Sequence, residues 1–133
     1  MAESHVMLAL GDFRFSLDTA AFQDLERSSS WRWPSVERIG ARPALQYVGP
    51  GEDTITMRGT IYPHFRGGVG QVSEMRAVAS QGEPLMLVDG TGRNWGLYVI
   101  TEVREGQSTF FSSGKPRKID FDLSLTMYED DNV

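Results

Sequence analysis

The chain has 133 residues, with 40% hydrophobic and 23% charged side chains, which is enough for one domain with a buried core and too balanced for a largely disordered chain. It contains no cysteine, which removes disulfides, thiolate metal sites and cysteine nucleophiles from consideration. A formal net charge of −5 argues against the whole surface being a nucleic-acid clamp, because phosphate binding needs a basic footprint.

In chain order, Val6 to Leu10 and Phe13 to Leu17 flank Gly11-Asp12 and predict a hairpin. Residues 18–27, with Asp18 or Thr19 as N-cap and Ala21, Phe22 and Leu25 on one face, predict a short helix. Ser28-Ser29-Ser30 reads as a linker. Trp31-Arg32-Trp33-Pro34, if extended, places both tryptophans on one face, suited to a core or an interface, with the proline at an edge. Gly49-Pro50-Gly51 reads as a turn that launches a strand through Ile61. There Ile55, Met57, Gly59 and Ile61 alternate with Thr54, Thr56, Arg58 and Thr60. The adjacent acids Glu52 and Asp53 point to opposite faces of such a strand, so they are poorly placed to act as a catalytic pair on one bond.

Residues 71–81 have helical period, with Val72, Met75 and Ala79 on one stripe, Val78 beside it and Gly82 as a stop. Residues 84–88 and 95–103 predict two strands joined by a turn at 90–94, the second apolar on both faces as in a central strand. Ile119, Phe121, Leu123, Leu125 and Met127 alternate with Lys118, Asp120, Asp122, Ser124 and Thr126, the clearest strand pattern in the chain.

Motifs for chemistry are weak. His5 and His64 have no second ligand at metal spacing, and the serines lack a nucleophile-elbow pattern. Gly90-Thr91-Gly92 leads into a strand where a phosphate loop leads into a helix. Gly67 to Gly70 precedes a helix but lacks a Walker lysine. No catalytic, metal or cofactor-binding residue is therefore assigned, and no cofactor is expected. The segment 106–118 stands out, with Phe110 and Phe111 beside Lys115, Arg117 and Lys118. Three uses fit it: contact with another protein, packing on the domain's own core, and stacking of single-stranded nucleic acid.

The blocks WRWPSVERIGARPALQYVGPGEDTITMRGTIYP, GTGRNWGLYVI and KPRKIDFDLSL, in this order, resemble the tail protein U (gpU) family of contractile-tailed temperate bacteriophages and phage-tail-like particles. The resemblance spans about residues 8–127, with departures at HFRGGVGQ and both termini. It implies a tail-assembly subunit without enzymatic activity and a fold like that of the tail-tube protein.

Together, the residue patterns and the resemblance give an α+β expectation: a mainly antiparallel β-barrel or sandwich of the tail-tube type with one packed amphipathic helix and a second short one. It is a single domain over 1–133, with 1–5 and 129–133 as loose ends. The expected function is a ring-forming subunit, a hexamer by expectation, that joins the baseplate hub to the tail tube and initiates the tube. A tail terminator at the opposite end is the alternative, and a single-stranded nucleic-acid-binding accessory protein the alternative of another class. Trp31, Trp33, Phe110, Phe111, Lys115 and Arg117 are the candidate interface residues, and Asp120 and Asp122 the candidates for a lumen face. The expected partners are copies of itself, the tube protein and hub proteins, with only non-specific contact with passing DNA and none with membrane. The expected location is the virion tail, assembled in the host cytoplasm.

Overall fold

The computed structural model describes residues 6–16, 22–63 and 70–129. The chain order is β1 (Val6–Leu10), β2 (Phe13–Ser16), β3 (Phe22–Arg32), β4 (Ser35–Arg38), β5 (Ala41–Leu45), β6 (Gly49–Ile61), α1 (Gln71–Ser80), β7 (Leu85–Asp89), β8 (Asn94–Phe110) and β9 (Pro116–Met127). Seven strands form one antiparallel sheet in the order β2-β1-β7-β8-β9-β6-β3, while β4 and β5 form a separate two-stranded sheet.

The main sheet is open but folded over. Phe15 of β2 is four strands away from β9, yet its ring stacks on Phe121 at 6.4 Å and meets Phe22 of β3 edge-on at 6.2 Å. The β2-β1-β7 section therefore lies across β9-β6-β3 as in a sandwich, with β8 at the bend. Helix α1 packs on β8 and β2 and inserts Val72 and Met75 into the core. That core takes Ile55, Met57 and Ile61 from β6 and Ile119, Phe121, Leu123 and Leu125 from β9, all at most 1% exposed. The alternation read in both strands is thus the buried alternation, with Thr54, Thr56, Arg58 and Thr60 on the wetter face.

The α+β expectation is corrected on three points. The fold is predominantly antiparallel β, the sheet does not close into a barrel, and α1 is the one helix among the described residues. Of the second short helix expected over 18–27, residues 22–27 are strand and belong to β3, while 18–21 lie outside the described residues. A bulge explains the error. The register slips between Phe22↔Gly59 and Asp24↔Arg58, so Phe22 and Leu25 share the inner face although three residues apart, the spacing of a helix.

The serine run is likewise strand, paired to β6. Gly49-Pro50-Gly51 is also strand, opposite Arg32 and Trp31. Gly51 sits where β6 carries an extra residue opposite Ser30, and a Cβ there would collide with Ser30 Oγ and crowd the Ser30 carbonyl oxygen at 3.3 Å. His5, His64, Gly67 to Val69 and most of the terminal residues expected to be loose lie outside the described residues.

One backbone position is strained. Thr109, near the end of β8, has φ 56, a conformation that crowds a β-branched residue. Its neighbours pair as Ser108↔Lys118 and Phe110↔Pro116. Thr109→Gly is expected to raise stability by about 1 kcal/mol, read as an upward shift of the denaturant midpoint at unchanged slope.

Candidate assembly interface

Three surfaces have unusual features for an isolated domain: two projecting hairpins and one flat polar sheet face. The first hairpin continues the β3–β6 ladder. Pairing of β6 with β9 ends at Thr54↔Thr126, whereas β3 stays paired with β6 up to Arg32↔Gly49. Backbone bonds from Val48 N–H to the Arg32 carbonyl and from Gln46 N–H to the Pro34 carbonyl carry the ladder into β4 and β5. At a rise of about 3.3 Å per residue, residues 29–38 extend this arm roughly 30 Å past the last β9 partner.

The arm is apolar and wet at once. Trp31, Trp33, Val36, Leu45, Tyr47 and Val48 are all exposed, and Ile39 at its turn is fully so at 107%. Trp33 and Tyr47 pack ring to ring at 4.8 Å across the ladder, which holds both side chains in place. Concentrated exposed apolar area of this kind marks a surface that another molecule covers.

The second hairpin leaves the opposite end of the sheet. Beyond Ile61↔Ile119 only β8 and β9 continue, turning at 111–115 with Phe111 N–H bonded to the Lys115 carbonyl at 2.9 Å. Phe110 and Phe111 are 55% and 40% exposed, so neither is core. The Arg117 guanidinium lies 4.9 Å from the Phe111 ring centroid, which orients that ring and occupies one of its faces. The candidate interface residues thus fall into two separate sets, Trp31 and Trp33 on one arm and Phe110, Phe111, Lys115 and Arg117 on the other.

The third surface is the outer face of β3-β6-β9-β8. Register places Asp24, Glu26 and Ser28 beside Arg58, Thr56 and Thr54 in that order, then Ser124, Asp122, Asp120 and Lys118, then Glu102 and Arg104. Five carboxylates face three cations there. Asp120 accepts a 2.8 Å hydrogen bond from Thr60 Oγ1, and Asp122 lies 3.7 Å from Arg58 Nε. Such exposed pairs orient side chains more than they stabilise the fold.

A polar cluster anchors the base of the first arm. Arg27 donates from Nε and Nη2 to both Asp53 oxygens, at 3.0 and 2.6 Å. Its guanidinium lies 5.2 Å from the centre of Trp95, which Arg93 also covers at 4.6 Å. The Arg27 hydrogen bonds hold the Asp53 carboxyl below its ordinary range despite the opposing effect of burial. A lowered folded pKa means the pair's contribution is present above the unfolded-state value and is lost as pH falls through the folded one. Asp89, bonded by Thr91 Oγ1, Trp95 Nε1 and the backbone N–H groups of Thr91 and Arg93, is lowered to about 2. These carboxylates are tied into turns and ladders. Asp53 is thus a structural brace.

Both flanks of the outer face end in unpaired strand. Among the described residues, β3 pairs only with β6, and β7 leaves β8 at Tyr98 so that 101–110 has β9 as its one strand partner, while α1 packs on β8 and its Arg76 meets Glu105 at 2.7 Å. Unpaired strand edges, exposed apolar arms and a hydroxyl- and carboxylate-rich face mark a subunit suited to assembly with other chains. The chain belongs to the Phage P2 GpU family, whose match covers residues 11–130.

It is 32% identical over 126 residues to a probable tape measure protein of Halomonas phage phiHAP-1. That match takes 93% of this chain but only 14% of the relative's length. In fold it is similar to a chain in the tail of an empty gene transfer agent (GTA) particle with C6 symmetry. The TM-score is 0.60 at 13% identity, covering 97% of this chain and 96% of the other. A chain from the virion of a native GTA particle gives the same values. The correspondence with both is one of fold.

Proposed function

We propose that the protein is a structural subunit of a phage tail that closes into a ring, joins the baseplate hub to the tube and starts tube assembly. The observation that carries this reading is the pair of free edges. β3, β6, β9 and β8 alternate in direction, so placing the free edge of β3 beside residues 101–110 of another copy makes a further antiparallel pair. Repeating that contact head to tail generates a closed ring if the rotation closes, with the outer faces forming one continuous wall.

Two comparisons support it. The similar GTA tail chain belongs to an assembly of six-fold symmetry, consistent with a hexameric ring here. In the Halomonas phage relative, the matching region is 14% of a chain named as a probable tape measure protein, which supports a place in the same part of the tail. Neither favours the hub end over the terminator end; the hub placement rests on the resemblance to tail protein U. The family's character as tail components also supports a role without catalysis. Base stacking by the second hairpin is the weaker reading, since Arg117 already covers a face of Phe111.

If the polar face lines the bore, Asp120 and Asp122 repel the phosphates of passing DNA, where lysines would retain them through counterion release. Replacing both with lysine is expected to leave tail assembly intact and to slow DNA delivery at low salt, with partial recovery as salt rises. Unchanged delivery from assembled mutant tails would remove these residues from the bore.

A further inference from the structure

We infer that the tip of the first arm seats in a groove between α1 and the β1–β2 turn of a second copy, with Ile39 as the knob and Arg38 and Arg42 on either side. The inference rests on the ring reading and adds to it a second contact between neighbouring copies.

Charge decides against the simplest way of using the arms, tip against tip. Residues 31–48 carry Arg32, Arg38 and Arg42 against Glu37 alone, and 106–118 carry Lys115, Arg117 and Lys118 with no carboxylate. Both hairpins are therefore basic and project from opposite ends of the sheet. With a chain total of −5, the acidity resides in the body. Each arm is thus electrostatically matched to the body of another copy and mismatched to its tips.

The body offers a receptor of the right chemistry. A groove of about 390 Å³ has Phe13, Ala77 and Val78 on its apolar walls and Asp12, Arg14 and Glu74 among its polar ones. An aliphatic knob fits the apolar walls, and two guanidinium groups flanking it meet the two carboxylates. The donor is shaped for insertion: Gly40 (φ 72) makes the tight turn that presents Ile39, and Arg38 Nε is bonded to the Arg42 carbonyl at 2.9 Å, which ties the two sides of the tip together.

The cysteine-free chain gives a direct test. Ile39→Cys and Ala77→Cys proteins, purified separately and mixed under mild oxidation, are expected to form a 39–77 disulfide dimer, identified by mass spectrometry of the digest. Either protein alone should form far less, and adding Arg38→Glu and Arg42→Glu to the Ile39→Cys chain should suppress the mixed dimer at least tenfold. Asp12→Lys with Glu74→Lys in the Ala77→Cys partner should then restore it. A parallel pair, Glu26→Cys with Arg104→Cys, reports the β3–β8 edge. Edge dimers without the 39–77 species would overturn the arm contact and leave the ring reading standing. Absence of both species at the highest attainable concentration, or a 39–39 disulfide as the dominant product, would overturn the inference as well.

Discussion

Replacing Phe110 and Phe111 together with serine is expected to give a folded, soluble subunit that is missing from purified tails. Both rings are exposed in the single chain, so their removal takes no contact from the core and the thermal midpoint should stay within a few degrees of the parent. Their cost appears on assembly. Truncating a buried aromatic anchor commonly costs ~2 kcal/mol or more, and in a ring the loss recurs at every subunit, so modest weakening of one contact becomes failure of the whole. Arg117→Ala should act in the same direction but more weakly, because it only releases the Phe111 ring from its packed orientation. The test is quantitative mass spectrometry of tails from cells making each variant. Parental incorporation of the double variant would show that this hairpin contacts nothing in the tail.

The second large effect concerns the joint that folds the sheet over. Phe15 is fully buried and its ring meets Phe13 at 4.8 Å, Phe22 at 6.2 Å and Phe121 at 6.4 Å, so one side chain connects β2, β3 and β9. Phe15→Ala removes transfer free energy and leaves a cavity that strands held by their ladders cannot collapse into. The expected loss is about 3–5 kcal/mol, a large fraction of the stability of a domain this size. Because Phe22 begins β3, the same change should loosen the edge assigned to ring contact, and tail incorporation should fall even at temperatures where the subunit is folded. Phe13→Ala is the control: Phe13 is 8% exposed and its described ring contact is with Phe15 alone, so its loss should be smaller. Equal destabilisation by the two would remove Phe15 from its connecting role.

How much of this was legible depended on whether the core imposed its period on the chain. Along Ile55 to Ile61 of β6 and Ile119 to Leu125 of β9 each inward residue is buried and each outward one is wetter, so the alternation in the sequence is the structure. The helix over 71–80 and the hairpins at Gly11-Asp12 and 90–94 were readable for the same reason, strengthened by glycines at turns. β3 failed because its bulge at Gln23 brings Phe22 and Leu25 to one face, which copies helical spacing. The arm failed for a different reason. Ile39, Leu45 and Val48 face solvent, and β4 and β5 have no core to alternate against, so their apolar residues carry no period that distinguishes strand from loop. Glycine and proline at 49–51 then suggested a turn where a long ladder continues. The aromatic candidates for an interface stand out in the sequence by type, but their separation onto opposite ends of the sheet depends on register, which only the fold supplies.

The central claim is that copies of this chain join edge to edge with the polar face turned inward. A cryo-electron microscopy reconstruction of the intact tail, with this subunit located, tests it most directly. The account predicts a ring in which β3 of one copy runs antiparallel beside residues 101–110 of the next, with Asp120 and Asp122 facing the bore. A ring built through other surfaces, with β3 unpaired or the β3-β6-β9-β8 face on the outer wall, would contradict it.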